Sequence, residues 1–207
     1  MPAIIETEVF QFDELSESAK EKARDWFREG RDESDFWAVL EDFGRIADLL
    51  GISLDTHQVT LMGGGTRYDP KIWYSVGYCQ SDYAAFEGSY RYRTGAAKSI
   101  REYAPQDEKL HAIAGELQDI QKRNGYGITA KITHSDYYGL QVEAERSSGA
   151  EVSDEDEKAL KEAFRRLCRW LYDALRTEDE YQSADEQVDD NIRANEYTFT
   201  ENGERFG

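Results

Sequence analysis

Residues 126–146 read YGITAKITHSDYYGLQVEAER, and this stretch decides the fold. Tyr126, Ile128, Ala130 and Ile132 alternate with Thr129, Lys131 and Thr133. After a turn over 135–139, Leu140, Val142 and Ala144 alternate with Gln141, Glu143 and Glu145. Successive side chains on a strand point to opposite faces, so this period of two predicts a hairpin with one apolar and one wet face. Such a hairpin belongs to an antiparallel sheet whose apolar face is covered. The flanking segments predict the cover. Asp107 opens a helix with Leu110, Ile113, Ala114, Leu117 and Ile120 inward, stopped by Asn124-Gly125. Ser153-Asp154-Glu155-Asp156 resembles a capping box, with Asp at its last position. It opens a long helix whose seam is Leu160, Phe164, Leu167, Leu171 and Leu175.

Working outward, residues 4–12 alternate β-formers with Glu6 and Glu8 and predict a strand. Ser16 caps a helix carrying Ala19, Ala23, Trp26 and Phe27, ended by Gly30. Ser34 caps a second, with Phe36, Trp37, Leu40, Phe43, Ala47 and Leu50 inward and Gly51 as its C′ residue. Residues 52–62 predict a strand, then a Gly63-Gly64-Gly65 loop. Residues 71–79 predict another strand, with 86–93 as its hairpin partner, and 95–102 a short helix closed by Pro105. Asn202-Gly203 predicts a small hairpin in the tail over 197–206. The expected fold is α+β and a single domain over 1–207. An antiparallel sheet of about five strands has helices packed on one face, and the long acidic C-terminal helices make 153–194 a helical acidic subregion.

Charge bounds the function. The chain of 207 residues has 43 Asp+Glu against 25 Lys+Arg, a formal net charge of −18 and a pI near 4.6. Residues 178–190 read EDEYQSADEQVDD, seven carboxylates and no base. A field of that sign repels nucleic acid and anionic membranes and attracts basic grooves on other proteins. Mean hydropathy is low, −0.79, but 13 Tyr, 9 Phe and 4 Trp suffice for a core. The N-terminal segment lacks the basic and apolar regions of a signal peptide. No apolar run reaches the roughly 18 residues that span a bilayer. Cys79 and Cys168 form no C-x-x-C pair and read as reduced thiols of a cytosolic protein.

Catalytic motifs are weak. His57 is in phase with Val59 and Leu61, and His134 with Ile128, Ala130 and Ile132, as satisfied histidines at a sheet end would be. His111 follows the apolar Leu110 on its helix. His134, Asp136 and Tyr137 could form an acid/base group, but they fall in a turn, where Ser and Asp are ordinary residues. No zinc spacing occurs. Gly63-Gly64-Gly65 is followed by Thr66-Arg67 rather than Gly-Lys, so it is a flexible connection and not a phosphate loop. The acidic run lacks the glycine and the residue order of an EF-hand. The tyrosines and Trp73 between 68 and 92 fit a sheet core with a protein-binding patch better than a base-stacking groove, which needs basic residues. No cofactor or metal is expected.

Three segments carry a resemblance: FDELSESAKEKARDWF at 12–27, QSDYAAFEGSYRY at 80–92 and ANEYTFTENGERF at 194–206. Together they resemble a family of uncharacterised phage and prophage proteins often labelled "antitoxin of toxin–antitoxin stability system". The family's middle motif is close to Q-G-D-G-A-x-F-E-G. Gln80, Asp82, Phe86, Glu87 and Gly88 match it, while Ser81 and Tyr83 replace the glycines. The resemblance implies a mobile-element origin and a cytoplasmic life inside a bacterium.

These readings lead to a binding protein that inhibits a host nucleic-acid-handling defence complex, as an anti-CRISPR or anti-restriction protein does, by occupying a basic groove. The expected docking face is Glu178, Asp179, Glu180, Asp185, Glu186, Asp189 and Asp190, since carboxylates on a rigid helix can occupy arginine and lysine sites that hold a phosphate backbone. The partner is a protein with a basic surface, a host nuclease or surveillance complex, with no direct nucleic-acid or membrane contact. Two alternatives stand beside it: an antitoxin-like protein that sequesters a toxin, and an enzyme using Asp82 and Glu87 as a carboxylate pair. Against the enzyme, Asp82 would simply cap a turn and Glu87 lie on a strand. Against the docking face, the acidic run would be a solvated helix surface.

Overall fold

The computed structural model describes residues 7–31, 36–77, 82–135 and 137–207. In chain order the elements are β1 (Phe10–Gln11), a one-turn 3-10 helix (Phe12–Glu14), α1 (Glu17–Glu29), α2 (Trp37–Leu50), β2 (Ile52–Leu54), β3 (Thr56–Thr60), β4 (Thr66–Pro70), β5 (Ile72–Ser75), β6 (Tyr83–Phe86), β7 (Gly88–Arg91), α3 (Ala96–Tyr103), α4 (Glu108–Arg123), β8 (Ile128–Ser135), β9 (Gly139–Arg146), α5 (Asp154–Ser183), α6 (Asp185–Ala194) and β10 (Thr198–Phe199). The fold is α+β with antiparallel pairing throughout the described strands. The chain divides into two compact units, residues 37–176 and residues 1–36 with 177–207. The boundary falls inside the expected acidic subregion.

The larger unit is built on the sheet β2-β7-β8-β9. Its register places Ile52, Tyr90, Ala130 and Ala144 in one row and Leu54, Gly88, Ile132 and Val142 in another, all on the covered face. Ser53, Ser89, Lys131 and Glu143 form the exposed row between them. The alternation of 126–146 therefore has the predicted consequence. Phe164 of α5, fully buried, meets Tyr90 edge-on at 5.3 Å and Phe86 at 6.5 Å, and Phe86 meets Phe43 of α2 at 5.4 Å. Buried Gln121 of α4 donates to the Ile128 carbonyl at 2.7 Å and accepts from its N–H at 3.2 Å. That pair satisfies backbone groups that would otherwise be stranded in the core. The caps form as read: Asp107 accepts from the Leu110 N–H at 2.9 Å, and Ser153 from the Asp156 N–H at 3.3 Å.

The sheet has four strands where about five were expected. Residues 52–62 are not one strand, 66–70 form a strand that sequence patterning missed, and 86–93 divide between two sheets. The cause is a three-way junction. The Asp55 N–H donates to the Glu87 carbonyl at 2.9 Å, the Glu87 N–H to the Lys71 carbonyl at 3.0 Å, and the Lys71 N–H to the Asp55 carbonyl at 2.7 Å. From this closed ring of three peptide groups radiate three ribbons: β2·β7, β3·β4 and β5·β6. At Asp55 and Lys71 the pairing partner changes and the inward positions shift parity, from Ile52 and Leu54 to His57 and Val59, and from Asp69 to Ile72 and Tyr74.

The smaller unit has its own core. Phe12, Leu15, Ala19 and Ala23 pack with Val188, Ile192 and Phe199, and Phe10, Trp26, Phe27 and Tyr197 lie against them. Trp26 meets Tyr197 at 5.2 Å and Phe199 at 5.8 Å, edge to face. β1 pairs with β10. Gly203, at φ +83°, turns the tail back so that the Thr200 N–H donates to the Glu204 carbonyl, as Asn202-Gly203 predicts. The strand expected over 4–12 reduces to Phe10–Gln11, with residues 4–6 outside the described residues. Ser34, the expected cap of α2, also lies outside them. The predicted acidic helix runs to Ser183, breaks at Ala184 and resumes as α6.

Candidate functional site

The charge is unevenly divided. The smaller unit holds 21 of the 43 acidic residues and 7 of the 25 basic ones, a formal charge of −14. The larger unit holds the remaining 22 and 18, a formal charge of −4. Most of the chain's excess negative charge, −14 of −18, thus belongs to about a third of its residues.

Within that unit, arginines of the N-terminal segment already hold part of the acidic run. Arg24 grips Asp189 with both prongs, Nε to Oδ1 at 2.6 Å and Nη2 to Oδ2 at 2.8 Å, and its Nη1 reaches Glu21 at 2.6 Å. The side chains of Arg24 and Asp189 are only 11% and 14% exposed. The Asp189 hydrogen bond raises the Arg24 pKa further above its ordinary value. Arg28 pairs with Asp185 and donates to the Ser183 carbonyl at 3.1 Å. Arg31 pairs with Asp179 at 3.2 Å and donates to Gln182 at 2.8 Å. Those four contacts tie the last turn of α5, the Ala184 break and the start of α6 to the end of α1 and the residues just after it, while Arg24 holds α6 through Asp189.

The seven expected docking carboxylates therefore have different roles. Asp179 and Asp189 are half-buried braces. Asp185 and Asp190 are paired with Arg28 and Arg193, yet their side chains remain 63% and 67% exposed. Glu178 accepts from Gln182 at 2.6 Å. Glu180 and Glu186 are exposed. The outward set of the run is Glu180, Asp185, Glu186 and Asp190. Sequence reading missed the arginines, although a signal existed: Arg24, Arg28 and Arg31 recur at i, i+4 and i+7 and make one stripe on a helix.

The family-motif residues are structural in position. Gln80 lies outside the described residues. Asp82 accepts from the Gly77 N–H at 3.1 Å and the Ser75 hydroxyl at 3.2 Å, closing the β5–β6 turn. Phe86 is in the core. Glu87 belongs to the junction ring rather than to a strand, and its carboxylate pairs with Lys71 at 2.8 Å. The Lys71 hydrogen bond outweighs burial and holds the Glu87 carboxyl below its ordinary range, helped by the His134 backbone and Trp73. Asp55 of the same ring pairs with Lys131 at 2.5 Å. A Cβ on Gly88 would strike the Ser53 carbonyl and lie 3.1 Å from the Leu54 Cα. Thus F-E-G encodes core, junction and a close strand approach.

Elsewhere, His57 stacks on Trp73 at 5.9 Å, His134 stacks on Tyr83 at 5.3 Å, and His111 Nε2 meets the Ala104 carbonyl at 2.8 Å. Asp136 and Cys79 lie outside the described residues. Cys168 is a free, buried thiol whose pKa burial pushes up to about 12. Among the described residues, no group of three or more His, Cys, Asp and Glu could hold a metal ion. No helix among them is long and apolar enough to cross a membrane.

No curated protein and no solved structure matches this chain. Residues 36–185, most of the chain, match the family model DUF8835, described as a domain of unknown function. The matched span takes in the whole larger unit and leaves residues 1–35 and 186–207 of the acidic unit outside it. The chain belongs to the DUF8835 family.

Proposed function

We propose that this protein is an acidic binding module of the bacterial cytoplasm that docks on the basic groove of a nucleic-acid-handling host protein and blocks it, as an anti-CRISPR or anti-restriction inhibitor would. The observation that supports this reading is the segregation of charge: one compact unit has a formal charge of −14 and the other of −4. The resemblance to phage and prophage proteins fits a role of this kind. Internal arginine braces fix α6 and the end of α5, so the outward carboxylates Glu180, Asp185, Glu186 and Asp190 sit on a pre-organised surface. Pre-organisation lowers the ordering cost of binding, and a concentrated field speeds encounter with a basic partner.

The test is a pull-down from bacterial lysate with the wild-type protein and with a Glu180→Gln, Glu186→Gln, Asp190→Asn triple variant, repeated with competing DNA and at raised salt. Capture of a nuclease or surveillance complex that is lost with DNA, with salt and in the triple variant supports the reading. Capture that is indifferent to all three refutes it. If the captured protein is instead one small toxin, and the chain rescues cells that express it, the antitoxin reading replaces it.

A further inference from the structure

The β3·β4 ribbon, like β5·β6, is a separate two-stranded sheet of the larger unit, but β4 is almost wholly exposed where β6 is mostly buried. No other described strand pairs with either edge of β3·β4. Thr66, Arg67, Tyr68 and Pro70 are exposed, Tyr68 at 66%. At its tip Leu61 is 44% exposed and Met62 fully so. A ribbon of only two strands is marginal in water and presents unpaired edge groups.

The edge groups can be assigned. The Leu61 N–H donates to the Gly65 carbonyl, and the Lys71 N–H to the Asp55 carbonyl, so odd-numbered residues of both strands direct their peptide groups inward. Even-numbered residues of β4, Thr66 and Tyr68, therefore direct theirs outward, where no described residue bonds them. The side chains of Arg67 and Asp69 share one face, joined at 2.6 Å and 2.7 Å, and they are the ribbon's only Asp, Glu, Lys or Arg residues. The ribbon is thus neutral in a chain of net charge −18, which makes it a place where two copies can approach without strong repulsion.

We propose that β4 is the homodimer edge of this protein: two copies pair antiparallel about Tyr68 into one four-stranded sheet, β3-β4-β4-β3. In that register the two Tyr68 residues exchange both backbone hydrogen bonds. Each Thr66 N–H reaches the Pro70 carbonyl of the other copy, and Pro70, which has no N–H, ends the ladder. Arg67 of each copy then faces Asp69 of the other in the closely spaced, non-hydrogen-bonded pair. The strand is self-complementary in charge, and opposite charges directly across a ladder stabilise it. A two-fold axis requires this self-complementarity of an isologous contact.

The experiment is sedimentation or light scattering of the full chain over a wide concentration range, on wild type, Arg67→Asp, Asp69→Arg and an equimolar mixture of the two variants. Far-UV circular dichroism first shows that the exposed substitutions leave the fold intact. Wild type runs as a dimer. Each variant places like charges opposite each other and runs as a monomer at concentrations where wild type is dimeric. The mixture sets an all-Arg strand against an all-Asp strand and restores the dimer mass, an outcome that loss of the internal Arg67–Asp69 pair cannot produce. Wild type monomeric at its highest attainable concentration, a variant still dimeric, or a mixture that stays monomeric would each overturn the proposal.

Discussion

Asp189→Asn separates brace from docking surface within the acidic run. In the native unit Asp189 accepts two hydrogen bonds from Arg24 at 2.6 and 2.8 Å, with both side chains less than 15% exposed. The amide keeps the shape and one acceptor but removes the charge, leaving a buried guanidinium with Glu21 as its only close carboxylate partner. Breaking a buried pair on one side costs about 3–5 kcal/mol. The retained Glu21 contact and the residual exposure reduce this to about 2–3 kcal/mol. A unit of this size has a total stability of only about 3–10 kcal/mol, so the loss is large locally. Native-state hydrogen exchange reads it: opening of α1 and α6 should rise about 30- to 150-fold, while β8 and β9 exchange as in wild type. Glu186→Gln, at an exposed site, should change exchange within about 0.5 kcal/mol. Unchanged protection of α1 and α6 in Asp189→Asn, or equal effects of the two substitutions, would refute the assignment of Asp189 as a brace.

Gly88→Ala should cost about 2–3 kcal/mol in urea unfolding, because the new methyl meets the backbone of Ser53 and Leu54 and not a movable side chain; a neutral result would show that β2 can shift. Phe164→Ala removes a fully buried ring that contacts Phe86 and Tyr90, and should destabilise the larger unit by about 3–5 kcal/mol in the same assay. Glu87 and Asp156 should contribute acid sensitivity. For Asp156, burial is outweighed by hydrogen bonds from Asn124, Arg123 and Ser153, so its folded pKa, like that of Glu87, lies below the ordinary values of 3.8 and 4.5. Their contribution is complete above those values and is lost as pH falls through the lower folded ones. Unfolding followed from pH 6 downward should lose stability more steeply for wild type than for Glu87→Gln with Asp156→Asn, and parallel curves would contradict it.

The helices and the central hairpin were legible because their signals are local. Ser16, Asp107 and Ser153 cap helices as their side chains require, and the period of two carries into β8 and β9 from Ile128 onward, Tyr126 lying before the strand and 47% exposed. The two faces of that hairpin follow from alternation alone, as does the side of the sheet that the helices must cover. The excess negative charge was equally plain, since composition does not depend on folding.

Pairing partners were decided elsewhere. In the run from Ile52 to Thr60 the inward positions shift from even to odd across Asp55, but alternation records which face a residue takes and not that the strand there leaves β7 for β4. Asp55, Lys71 and Glu87 become neighbours only when three extended segments converge. In the same way, residues 178–190 are acidic by composition alone, but Arg24, Arg28 and Arg31 lie about 150 positions away. Only the tertiary packing of α1 against α6 makes some of those carboxylates internal braces and leaves the others facing water. A charge's role depends on its distance from its counter-charge and from solvent, and both of those are properties of the folded chain.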